Sequence, residues 1–271
     1  MNIEFQLLEA GYCLHCERMT KVNGRFKNSQ YPSFCALLKH PKHGYILFDT
    51  GYSERFNQLT QKFPESLYRR LTPMHLTKSL SEQLAEMAIP AAAINYIIIS
   101  HFHADHIGGL SDFPYAKFIC HQEAYDDIHT KKGWKALLDG FLSELLPEDF
   151  AERLLIPDKS IELDEKLYPF THGFDLFEDK SIIMIALPGH AKGQVGIYFS
   201  STFLVADSCW HSEAFQEMIL PSVFTFLIHD NKQEYIQTLQ RLHELYKRNN
   251  KIDIIPSHCI HARAKIGSSL C

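Results

Sequence analysis

The chain has 271 residues, a net charge of −5 and an ordinary globular composition, 45% hydrophobic and 22% charged. The acidic balance argues against a nucleic-acid binder, which carries a basic field. No apolar run approaches the ~18 residues of a membrane span, so no membrane partner is expected.

No internal repeat or Pro/Gly/Ser linker interrupts residues 1–271, which read as a single domain. The start, Met1 to Gln6, has an early acid and no basic residue, unlike a secretory signal. Seven scattered cysteines suit reduced thiols, and the expected location is the cytoplasm. Cys13 and Cys16 form a lone C-x-x-C, read as free thiols because no second pair accompanies it.

In chain order, residues 3–9 read as a strand, followed by a polar loop to about Tyr31. Residues 35–39 and 45–49 read as a hairpin around His40-Pro41-Lys42-His43-Gly44. Helical periodicity covers 53–70 and 78–88, and a strand covers 95–100. A short strand at 117–121 precedes helices at 122–129 and 133–155, the second strongly apolar on one side. Strands follow at 160–163, 173–177, 181–186, 194–199 and 202–206, then an amphipathic helix at 232–248 and a strand at 252–255. Strand-rich halves separated by helices predict two sheets packed together with helices outside. The helical insertions near 53–90 and 122–155 are expected to form a lid, whose apolar content suits an acyl chain or a ring.

The segment Ser100-His101-Phe102-His103-Ala104-Asp105-His106 places three imidazoles and a carboxylate behind the apolar run 96–99. A hydrophobic core has no use for that composition, whereas zinc and its first-row neighbours do. In extended chain, side chains alternate faces, so His101 and His103 project the same way and can grip one ion. As the chain turns into a helix, Asp105 and His106 swing to a second position. Three further metal-competent residues end predicted strands: His190, Asp207 and His258. Rigid strands that aim ligands from loops hold such a site to tight geometry.

His101-x-His103-x-Asp105-His106, then His190, Asp207 and His258, resembles the metallo-β-lactamase superfamily over roughly residues 33–262. The resemblance implies an αββα sandwich, with two mixed sheets flanked by helices. It implies one metal on His101, His103 and His190, a second on Asp105, His106 and His258, and Asp207 bridging both. Two zinc ions are the default, although iron, manganese or cobalt suit the same donors. A water bridging the pair would be brought to a pKa near neutrality and attack a carbonyl or phosphorus centre. Asp105 would orient it and carry a proton to the leaving group. Asp49, in Phe48-Asp49-Thr50-Gly51, matches a family motif and would orient a ligand imidazole from behind.

Within the superfamily the chain most resembles the N-acyl homoserine lactonase-like group, which shares the ligand set and ends soon after the last histidine. One departure stands out. That group usually carries a tyrosine three residues after the bridging aspartate, and here the position is Trp210. An indole N–H donates a hydrogen bond but is not an acid of phenol strength. The neighbouring His211 offers a substitute. The expected activity is hydrolysis of a small-molecule ester or lactone. The alternatives are a phosphodiesterase and a non-catalytic metal-binding regulatory protein of the same fold. The oligomeric state is not legible in the sequence.

Overall fold

Strand residues alternate between an inner and an outer core, and that alternation builds the layers. In the computed structural model, which describes residues 3–266, one sheet holds β1 (Glu4–Cys16), β2 (Asn28–His40), β3 (Gly44–Phe48), β4 (Met74–His75), β5 (Ile94–Ile98), β6 (Lys117–Ile119) and β7 (Leu154–Leu155). Their order is β4-β1-β2-β3-β5-β6-β7. The second sheet holds β8 (Ser160–Glu162), β9 (His172–Asp175), β10 (Ile183–Ala186), β11 (Val195–Phe199), β12 (Thr202–Ala206) and β13 (Asp253–Pro256). Its order is β13-β12-β11-β10-β9-β8. Both sheets are mixed: β3, β5, β6 and β7 pair in parallel, as do β12 and β13, while the remaining pairs are antiparallel.

Leu38, Ile46 and Ile98 turn inward to meet Met184, Ile197 and Leu204 of the other sheet. Their neighbours Leu37, Leu47 and Ile97 turn outward under Phe56, Leu84 and Ile107. On the far side, Phe203 and Val205 face the helix Lys232–Arg248 through Tyr235, Leu239, Leu242 and Leu245. Period-two strands therefore serve two cores at once, and a period-3.6 helix stripe closes the outer one. The result is the expected αββα sandwich. Asn231 caps that helix, its side-chain oxygen accepting from the backbone N–H of Gln233 and Glu234, a contact worth about 1 kcal/mol.

Several boundaries differ from expectation. The first strand runs on to Cys16, and β2 starts at Asn28 rather than after Tyr31. His15 pairs with Ser29 and Cys16 with Asn28, so ladder pairing carries the hairpin beyond its apolar pattern. The helix expected at 53–70 is two helices, Glu54–Leu59 and Ser66–Leu71. Pro64 between them lacks an N–H and disfavours helical backbone before it. The helix expected at 133–155 ends at Leu138, close to Gly140 at φ +71°. A short 3₁₀ turn at Ser143–Leu145 and the strand β7 follow it. No described helix is long and apolar enough to cross a membrane.

Candidate metal centre

Four loops meet where the two sheets come together. They follow β5, β10, β12 and β13, and carry His101 to His106, His190, Asp207 and His258 respectively. Backbone hydrogen bonds lock the loops to one another. Val195 N donates to Ser100 O at 2.9 Å, Phe34 N to Ser257 O at 3.1 Å, and Ser257 N to Ala206 O at 3.1 Å. Asp49 and Ala206 lie in the left-handed region at φ 59° and 47°, each at the end of a strand. Such backbone costs on the order of 1–3 kcal/mol for a residue with a Cβ and persists only where its surroundings enforce it.

All seven expected ligands converge. His101, His103 and His190 bring ligand atoms within 4.8 Å of one another, as do Asp105, His106 and His258. Asp207 lies between the two groups. Its Oδ2 is 2.9 Å from His258 Nε2 and 3.4 Å from His190 Nε2, and its Oδ1 is 3.3 Å from His106 Nε2. His101 Nε2, His106 Nε2 and Asp207 Oδ1 are buried with no hydrogen-bond partner. Orphaned buried donors and acceptors are costly, and here they belong to the atom types that ligate a borderline cation. The residues fit a pair of such ions.

The atoms behind the imidazoles decide which nitrogen faces inward. Ser100 Oγ donates to Asp49 Oδ2 at 2.7 Å, and therefore accepts from His101 Nδ1 at 2.9 Å. His106 Nδ1 donates to Asp49 Oδ2 at 2.8 Å. His258 Nδ1 donates to the Pro32 carbonyl at 2.7 Å. All three thus present Nε2 to the centre, the outer-sphere pattern of metal-binding histidines. Asp49 sits behind His106, and Ser100, which carried no signal in the sequence, links the same carboxylate to His101.

Charge is divided between the two groups. Burial pushes the His101 and His190 imidazoles well down, and His103 to about 4, so all three are neutral. Burial also acts to lower His106 and His258, but the carboxylates beside them win and hold both above the ordinary histidine value. Burial acts to raise Asp207, yet His258 and His106 hold it well below the usual carboxylate range. A cation entering beside Asp105 and Asp207 would replace protons on His106 and His258, which couples its binding to pH.

Trp210 packs its ring 4.8 Å from that of His258. His211 belongs to none of the metal-competent groups. It is buried, its Nε2 donates to the Thr20 carbonyl at 3.2 Å, and its Nδ1 lies 3.6 Å from Glu213. Two histidines outside the sequence motif flank the centre. His229 sits 4.9 Å ring to ring from His190, and His15 sits 5.5 Å from Trp210. Neither carries a local spacing signal, because both reach the centre through long-range packing. A further metal-competent group, His40, His43 and Asp179, lies apart from the centre. There His40 Nδ1 accepts from the backbone of Lys42 and His43, so Nε2 keeps its proton and faces Ser181 and Asp179. That tautomer ties a hairpin to a turn and leaves no lone pair for a metal.

The metallo-beta-lactamase superfamily model matches residues 29–243. The metallo-hydrolase mfmC of Annulohypoxylon moriforme is 25% identical over 78% of this chain, which spans 57% of that protein's length. An N-acyl homoserine lactonase, AttM, of Azorhizobium caulinodans is 22% identical over 91% of this chain and 90% of its own. Among solved structures, an N-acyl homoserine lactone hydrolase with N-hexanoyl-L-homoserine bound at its metal center aligns over 99% of both chains, with TM-score 0.74 and 18% identity. AidC, a dizinc quorum-quenching lactonase in complex with a product, aligns over 95% of this chain, with TM-score 0.66 and 17% identity.

Proposed function

The chain belongs to the metallo-β-lactamase superfamily, and on that premise we propose that it is a dinuclear metal-dependent hydrolase of small esters or lactones. The observation that carries the reading is the pair of metal-competent triads with Asp207 between them, and the buried His101 Nε2 at their centre that has no hydrogen-bond partner. His101, His103 and His190 would hold one ion, and Asp105, His106 and His258 the other, with Asp207 between them. When bound, such a pair supplies Lewis acidity and a water acidified to near neutrality.

The chain's own groups do the remainder. Asp49, Ser100 and the Pro32 carbonyl hold the imidazoles of His101, His106 and His258 in place for binding. Asp105, 8% exposed, is the ligand carboxylate that borders solvent, and is placed to hold a proton and pass it to the leaving oxygen. Hydrolysis adds water across the acyl C–O bond: its oxygen joins the carbonyl carbon, and the departing alkoxide takes a proton to leave as an alcohol. The helices within 53–90 and 122–155 are read as a lid that excludes solvent. The relatives named as lactonases favour a lactone.

Elemental assay of purified protein, joined to a panel of lactones, thioesters and bis(p-nitrophenyl) phosphate, tests the reading. Bound metal and turnover of a lactone or ester, both lost in His103→Ala, are expected. Unchanged activity in that variant overturns the mechanism. Phosphodiester turnover far above that of every lactone and ester overturns the substrate class.

A further inference from the structure

The side chains flanking the centre are dominated by rings. On the His258 side, Trp210 lies 5.3 Å from Tyr31 and 5.5 Å from His15, and these two lie 6.3 Å apart, all with tilted planes. Tyr31 is held by its hydroxyl, 2.7 Å from Thr20 Oγ1. Near His103 stands Tyr68: a Cβ built on Gly140 would lie 3.1 Å from the His103 ring and 3.4 Å from the Tyr68 hydroxyl. Tyr68 continues a ring series, with Phe56 at 5.4 Å and Tyr52 another 5.2 Å on. Trp210 packs 4.8 Å from the His258 ring and Tyr68 stands by His103, so the near end of each series borders the same centre. One more feature points to a ligand. The indole N–H of Trp210 is buried and has no acceptor, a donor that a bound molecule would satisfy.

Tilted and edge-to-face walls are the surroundings that a flat ring prefers, because its positive edge meets their negative faces. A flexible alkyl chain gains nothing from that orientation and loses rotamer freedom on entering. Resting on the hydrolase reading above, we propose that the substrate is an ester or lactone carrying an aromatic ring, seated against Trp210, Tyr31 and His15. One of its oxygens accepts the Trp210 N–H. The same water addition opens the ester and yields an aryl-bearing acid and an alcohol or phenol.

The test compares dihydrocoumarin with valerolactone and hexanoyl homoserine lactone on the metal-replete protein. Each kcat/KM is divided by the rate of the same lactone in hydroxide alone. A second readout needs no turnover: quenching of Trp210 fluorescence by the ring-opened products of dihydrocoumarin and valerolactone, in a Trp134→Phe background, since the chain has 2 tryptophans. The expected result is a corrected preference for dihydrocoumarin, with quenching by its product and not by hydroxyvalerate. Trp210→Phe keeps the ring and should retain the preference, whereas Trp210→Leu should lose about 2- to 10-fold of it. An equal or greater corrected rate for the aliphatic lactones overturns the proposal and leaves the hydrolase reading intact. If no lactone or ester is turned over, the hydrolase reading fails. Quenching by the aryl product alone then still supports the aromatic pocket, and its absence overturns it.

Discussion

His106 donates from Nδ1 to Asp49 Oδ2 across 2.8 Å, and neither side chain reaches solvent. The same carboxylate receives the Ser100 hydroxyl at 2.7 Å and the Ser100 backbone N–H at 2.8 Å through its two oxygens. One buried carboxylate thus orients His106 directly and His101 through a hydroxyl. Asp49→Asn removes the charge and misdirects at least one of these donors. We expect metal affinity to fall about 10- to 100-fold, read by competition against a chromophoric chelator. Affinity equal to wild type would show that Asp49 does not set the ligands.

Cation removal should destabilise the protein. A ligand that binds the folded state alone stabilises it by about 2.7 kcal/mol at a hundredfold excess over Kd. Dialysis against a chelator should therefore lower Tm, and zinc should restore it, with a smaller recovery in His101→Ala or His258→Ala, each of which breaks one triad. An identical Tm before and after dialysis would argue that the two triads hold no ion.

Acid should weaken the fold through histidines buried as neutral rings. Burial holds His15 and His229 at about 4, against an ordinary value of 6.5. A depressed folded pKa in a base means that the unfolded chain takes the proton first. Stability is therefore full above pH ~6.5 and declines, by at most ~1.4 kcal/mol per pH unit per group, until the folded rings protonate near 4. His15→Gln should flatten that decline in urea melts between pH 7 and 5. An unchanged slope would mean that His15 does not contribute.

Gly189 sits at φ +124°, and a Cβ there would lie 2.1 Å from Tyr235 N. Asn231 N and Asp230 N donate to the carbonyls of Gly189 and His190 at 3.0 and 3.1 Å, pressing this loop against the start of the helix Lys232–Arg248. Gly189→Ala combines unfavourable backbone with overlap against main chain, so a loss of at least about 1–3 kcal/mol is expected in denaturant unfolding. His190 should be displaced with it, weakening metal binding. Wild-type stability would refute the close approach.

The candidate ligands that the structure brings together were legible in the sequence because each follows a strongly apolar strand, and strands of that kind announce their own ends. The long helix 232–248 was legible for the same reason: its apolar spacing repeats over 17 residues without a breaker. What failed were the regions where pattern and pairing disagree. The stretch 10–16 falls in the expected loop, after Gly11 breaks the first strand's pattern, yet cross-strand pairing from Tyr12 to Cys16 keeps it extended. That mistake hid His15, which the extended hairpin carries to Trp210. His229 was missed because the backbone bonds between 189–190 and 230–231 bring it to His190 from 39 positions away, a distance no motif spans. His211, next to Trp210 in sequence, turns to the Thr20 carbonyl instead, as alternation between successive side chains in extended backbone dictates.

The two triads have an architectural consequence. His101 and His103 leave the end of β5 in one sheet, while His190 leaves β10 in the other; Asp105 and His106 face His258 across the same divide. Either triad exists only while the sheets are face to face. A cation seated in one would act as a clasp across the seam, resisting any sliding of one layer over its neighbour, and chain halves that had parted would offer it no complete grip.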